Sequence, residues 1–231
     1  MPQKRTYRRR RRKMYRRRKK KFTVNSSTGI SRAPTQYPLV RKIKTTFRYS
    51  EPSKIFALPQ GTTLAFVYSA NGLYDPDISG VGHQCSGFDQ LMSFYNHYTV
   101  IGAKISCTFT NPNQHFVTVG IDVRDSTTPT TDVREVIESG TCTYGVLAPT
   151  GSGRDQKTFS MNINPNKFLG IGTPLSNGNV RGSAQNNPPE SCYFHVFANA
   201  DASAPVSMRI PTNVVIEYVA VLTEPKDVGL S

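Results

Sequence analysis

The sequence has no tryptophan and only four cysteines, Cys85, Cys107, Cys142 and Cys192, in 231 residues. No two cysteines form a CxxC or CxxH pair, so the spacing of a zinc site is missing. They read as small buried side chains or as loop thiols; disulfides are possible, but the spacing demands none. No run approaches the roughly 18–20 consecutive apolar residues of a membrane helix, so no membrane insertion is expected. No apolar segment follows the first charges, so the start is not read as a secretory signal peptide, and a reducing compartment is the expected setting. Catalytic motifs are also missing: there is no GxSxG, no HExxH and no P-loop. GVGHQCSG and GIGTPLSNG lack the strand–turn–helix frame of a phosphate loop. The residues best suited to catalysis or metal binding are His83, His97, His115 and His195, with Asp75, Asp77 and Asp89. In GLYDPDISGVGHQ (72–84), however, the acids sit in Asp-Pro and Gly steps, where aspartate ordinarily bonds its own backbone in turns. No catalytic residue, metal or cofactor is assigned, and the chain is not read as an enzyme.

Acid is absent from one place in particular. Residues 1–21 carry Lys4, Arg5, Arg8, Arg9, Arg10, Arg11, Arg12, Lys13, Arg16, Arg17, Arg18, Lys19, Lys20 and Lys21 with no Asp or Glu. That is 14 of the 29 basic residues; the other 15 face all 15 acids, so the body is formally neutral and the +14 excess belongs to the tract. Like charges at this density repel and cannot bury a core, so the segment is expected to be disordered by itself. Residues 22–40, rich in Ser, Thr, Pro and Gly, read as a linker. Domain organisation is therefore an arm and linker at 1–40 and a folded domain at 41–231.

Arginine stays charged and can hold phosphate through two hydrogen bonds, and releasing counterions from nucleic acid drives such binding without sequence preference. Tyr7 and Tyr15 lie among the charges, where rings can stack on the bases of a single strand. A nuclear localisation signal is a second role for the same tract. Binding to acidic membranes is the weaker alternative, since no apolar wedge or lipid anchor accompanies the charges. Arg41, Lys42, Lys44, Arg48 and Lys54 carry positive character into the first strand. Alternate strand positions share a face, so Lys42, Lys44 and Arg48 either continue a phosphate-binding surface or are ordinary solvent-facing residues.

From about residue 41 the chain is a succession of short β-rich runs: 42–50, 63–70, 98–111, 116–125, 141–148, 157–164, 192–200 and 213–223. Ile43, Thr45, Phe47 and Tyr49 alternate with polar neighbours, as do Val117, Val119, Ile121 and Val123, which is the period of a half-buried strand. Helical signal is confined to 87–98 and 131–139. Eight strands with little helix predict an all-β fold, a single eight-stranded jelly-roll β-sandwich with long interstrand loops and the disordered basic arm in front of it. The long connections, 71–97, 126–140 and 165–191, follow the second, fourth and sixth strands and are expected at one end.

The stretch GLYDPDISGVGHQCSGFDQLMSFYNHYTVIGAKI (72–105), through YDPD, GHQ, GFDQL and FYNHYTV, resembles a segment of the capsid proteins of small circular Rep-encoding single-stranded DNA viruses. Cys85 stands where that family leads one to expect proline. The resemblance takes in the arginine-rich start and the β-rich body. It implies a single jelly roll and a small icosahedral shell of sixty identical subunits. It also implies a circular single-stranded DNA genome packed by the arm, and import into the host nucleus by the host machinery. Sixty arms would bring about 840 positive charges against the genome's phosphates. A host attachment factor is implied without residues to assign to it, and the loops beginning at Asn71, Ser126 and Pro165 would form the exterior and subunit contacts. Phe88, Phe94, Tyr95 and Tyr98 are residue types favoured in interface cores, or else they pack within their own subunit. The alternative function is a non-viral nucleic-acid-binding β-sandwich with a basic tail, against which the body's neutrality argues.

Overall fold

A computed structural model describes residues 39–204 and 207–227. The basic tract and most of its linker lie outside the described residues. Eight strands form where alternation puts apolar side chains on one face. They are β1 (Lys42–Pro59), β2 (Thr63–Ser69), β3 (Tyr95–Thr110), β4 (Val117–Arg124), β5 (Thr143–Leu147), β6 (Gln156–Ile163), β7 (Tyr193–Ala200) and β8 (Ser207–Pro225). Short helices α1 (Phe88–Met92), α2 (Val133–Glu138) and α3 (Pro165–Phe168) lie in the connections.

The strands make two four-stranded antiparallel sheets, in the orders β1-β8-β3-β6 and β2-β7-β4-β5. β1 pairs with β8, β2 with β7, β3 with β6 and β4 with β5, so the chain is a nested hairpin wrapped into a sandwich. Joining β8 to β3 and β7 to β4 completes each sheet. This topology is the jelly roll. The inward faces form one core, with Phe47, Tyr49, Ile105, Phe109, Val119, Ile121, Phe194, Val196, Ile216 and Tyr218 all buried. The Tyr218 hydroxyl crosses it to donate to the Ser69 carbonyl at 2.6 Å, which satisfies a polar group that burial would otherwise penalise.

Two elements run differently from their sequence pattern. β1 continues past residue 50 to Pro59 through a bulge between Glu51 and Lys54, where Ser53 has φ 66°. The extra residue switches the buried positions from Phe47 and Tyr49 to Phe56 and Leu58, odd to even. The helix expected over 87–98 stops at Met92, and Tyr95–Tyr98 join β3 instead. They are held there by pairing of Tyr95 with Pro225 and of Tyr98 with Leu222 on β8. Ladder hydrogen bonds over a long partner outweigh the weak helical propensity of Tyr, Asn and His.

The long connections meet at one end, as their lengths suggest. Asn187 accepts from the amide of Tyr74 and donates to the Asp75 carbonyl, which ties the second–third connection to the sixth–seventh. His195 bonds the Ser126 carbonyl at 2.7 Å and so anchors the fourth–fifth connection to β7. Of the cysteines, Cys85, Cys107 and Cys192 are buried, and all four are unpaired. Burial pushes the Cys85 and Cys192 thiols up to about 12, so neither is a nucleophile at neutral pH.

Candidate nucleic-acid interface

Of the residues assigned to nucleic acid, Lys4 through Lys21, with Tyr7 and Tyr15, lie outside the described residues. Arg41, Lys42, Lys44 and Arg48 are described, and all four are exposed. Alternation along β1 turns Phe47 and Tyr49 into the core and leaves Lys42, Lys44, Thr46 and Arg48 on the outer face of the β1-β8-β3-β6 sheet. β1 is the edge strand of that sheet, and the cationic tract precedes it in the chain.

Register fixes what lies beside these cations. Arg48 pairs with Glu217 on β8, and Glu217 pairs with Lys104 on β3, so one row across three strands reads Arg48, Glu217, Lys104. The Arg48 guanidinium bonds the Glu217 carboxylate. Their side chains are 68% and 36% exposed, so this is a surface pair of the kind worth about 0–1 kcal/mol. Further along, the face is neutral: Ser106 bonds Ser160 at 2.9 Å and Thr108 bonds Thr158 at 2.8 Å between β3 and β6. Lys104 and Glu217 were not singled out in the sequence. Lys104 had a signal, an isolated charge at the outward parity of its strand; Glu217 takes its meaning only from the two strands beside it.

Arg41 and Lys42 also edge a cavity of about 440 Å³, closed by Leu175, Arg181, Thr223, Glu224, Pro225 and Asp227. Arg181 is committed there, donating to Glu224 at 2.9 Å and to the Leu175 carbonyl, and His97 approaches the other Glu224 oxygen at 3.3 Å. This corner is nearly charge-balanced, and near the start of β1 the sheet face keeps Lys42 and Lys44 with no ion pair among the described residues. Lys54 does not extend them. It lies beyond the bulge, bonded to Glu51 at 2.7 Å and to the nearly buried Asp77 at 2.9 Å.

The four aromatic residues proposed for a subunit interface separate. Phe88, Tyr95 and Tyr98 are buried in the chain's own core, the second of the two readings open from the sequence, and only Phe94 is exposed, at 47%. Phe88 packs edge-on against Phe47 and Tyr98 at centroid distances of 6.1 and 5.5 Å. The Tyr98 hydroxyl donates to Asn187 and accepts from the Leu73 amide, which also commits its polar end.

Four of the acids and histidines considered for chemistry, Asp77, His83, His97 and His195, have their side chains in structural contacts. Asp77 accepts from the Ser79 amide, the turn bond its Asp-Ile-Ser-Gly setting predicts, and His83 stacks on Tyr49. His195 is fully buried, and desolvation lowers its pKa, so it stays neutral. Beside it, buried Asp122 accepts from Arg124, Thr141 and the Val123 amide. Among the described residues no group of three His, Cys, Asp or Glu side chains is placed to hold a metal ion.

No protein-family model matches the chain, and no curated protein does. Solved structures of viruses contain chains of similar shape. One, from giant freshwater prawn Macrobrachium rosenbergii nodavirus, is 12% identical with a TM-score of 0.48, over 90% of this chain and 100% of that one. A second, from Cocksfoot mottle virus, is 10% identical with a TM-score of 0.46, over 80% and 96%. A third, from Desmodium yellow mottle tymovirus, is 15% identical with a TM-score of 0.44, over 90% and 100%.

Proposed function

We propose that the protein is the coat subunit of a small virus, whose jelly-roll body assembles with copies of itself into a closed icosahedral shell. Residues 1–21 hold the nucleic acid inside. One observation carries the reading: the entire charge excess of +14 lies in an acid-free tract ahead of a formally neutral sandwich. A polyanion is the natural partner of that tract, and a neutral body can pack against itself without the repulsion that a uniformly basic protein would meet. Lys42, Lys44 and Arg48 continue the phosphate-binding surface from the tract onto the first strand.

The finer reading follows the resemblance of residues 72–105. The cargo is a single-stranded DNA genome, the shell holds sixty copies, and the cationic tract also engages the host nuclear import machinery. Phe94 is the member of the aromatic segment still open to a neighbouring subunit. Electron microscopy of the purified protein tests the assembly, with uniform closed particles as the expected result. Monomers across a range of salt and pH would overturn it. Deleting residues 1–38 tests the division of labour. The cut stops there because the Val40 carbonyl accepts from the Tyr95 hydroxyl at 3.0 Å. The shortened protein should keep its β-rich circular dichroism and lose its nucleic acid at moderate salt.

A further inference from the structure

The outer face of the β1-β8-β3-β6 sheet carries five cations, Lys42, Lys44, Arg48 and Lys104 on one half and Arg209 at the far end of β8, and a single acid, Glu217, at its centre. Outward positions of β8 from Pro211 to Val221 are otherwise apolar or uncharged, with Arg209 well beyond them, and those of β6 are Gln156, Thr158, Ser160 and Asn162. An acid there does nothing for the core, and its partner Arg48 is two-thirds exposed. We propose that Glu217 is an electrostatic brake on nucleic-acid binding by this face. It competes with phosphate for Arg48 and Lys104, so the folded body remains a weak partner and the tight grip stays with residues 1–21. The inference rests on the reading of the protein as one that packages nucleic acid.

Distance decides which cations the brake reaches. Neighbouring strands lie about 4.8 Å apart, which puts Arg48 and Lys104 on either side of Glu217 within about one Debye length at physiological salt. Lys44 is two alternate positions further along, roughly 13 Å, and Lys42 lies beyond it, so both are largely screened from the acid. The face also lacks stacking platforms. Apart from His97 and the buried Tyr95 at the far end, no ring stands at an outward strand position, so bound nucleic acid is held by its sugar–phosphate chain without reading bases.

The test uses the full-length protein and two probes of equal length, an oligo-thymidine and an abasic single strand, titrated by fluorescence anisotropy over a salt series. Glu217→Gln should tighten both probes severalfold at low salt. It should also steepen the slope of log K against log salt by about 0.7 for each cation released. Arg48→Gln should remove part of that gain, and Arg48→Gln with Lys104→Gln should remove all of it. Lys42→Ser with Lys44→Ser should weaken binding by the same factor whether or not Glu217 is present. Glu217→Thr, which keeps a good strand former, serves if the glutamine variant fails to fold. Unchanged affinity and slope in a folded Glu217 variant would overturn the brake, as would a gain confined to the oligo-thymidine. Failure of the packaging reading looks different: the unmodified protein would then bind neither probe.

Discussion

Lys54 sits between two carboxylates, with its ammonium 2.7 Å from Glu51 and 2.9 Å from Asp77. The second Glu51 oxygen takes the hydroxyls of Tyr49 and Tyr68 at 3.1 and 3.2 Å. Burial and then the Glu51 charge raise both phenols far above their ordinary range, so they remain donors. Removing the cation leaves two acids facing each other with little solvent, and Lys54→Met should cost about 3–5 kcal/mol in urea unfolding. Burial alone would raise the Asp77 carboxyl, but the Ser79 amide and Lys54 outweigh it and hold the pKa below the usual aspartate value. A depressed native pKa adds stability that is full above the unfolded-state pKa and fades as pH falls through the lowered one. Acid titration of stability should therefore fall less steeply below about pH 4 in Asp77→Asn than in the unmodified protein. From the sequence, Asp77 was legible as a turn residue because its bonds to residue 79 are local. Lys54 read as one more surface cation, because its partners are set by a bulge and by a loop 23 residues away.

That bulge is the clearest lesson at the level of elements. Period-two alternation located the first half of β1, and the parity switch at Ser53 hid the second half. Ser53 holds a left-handed conformation that glycine adopts without cost and a β-branched residue resists. Ser53→Gly should leave thermal stability equal or higher, and Ser53→Val should lower it by about 1–2 kcal/mol. In the Phe88–Tyr98 segment, α1 ends early and β3 begins early, so residues that read as one helical face are divided between two elements. Tyr98 packs against the backbone of Gly182, where even a Cβ would lie 2.2 Å from the ring. Truncation to alanine at Tyr98 should cost about 3–5 kcal/mol in the isolated subunit. Phe94→Ser should change subunit stability by less than about 0.5 kcal/mol and lower the yield of particles. Equal losses of stability at the two sites would show that Phe94 serves the subunit's own fold.

At the scale of the molecule, the charge excess is confined to residues 1–21 and the remaining residues are formally neutral. Counterion release gives about 0.7 in salt slope for each cation on a single strand, so the full tract should approach a slope of roughly −10 for single-stranded DNA. Shortening the tract by seven cations should halve it, a change that anisotropy over a salt series resolves. Eight strands and their order were legible because each run carries its own alternation and is bounded by turn residues. Their partners were not, since nested pairing joins residues far apart in sequence, as Lys42 with Thr223. Glu217 stayed hidden for the same reason, because its meaning depends on two neighbouring strands. The same nesting has a consequence for biosynthesis. β8 is hydrogen-bonded on both edges, to β1 and to β3, yet it follows both in the chain. A ribosome-bound chain that ends before residue 207 leaves those two strands with open edges and half a core, and should be digested readily by protease. The cationic tract precedes both strands in the chain, so on the proposed function it can meet nucleic acid while the body it belongs to has yet to close.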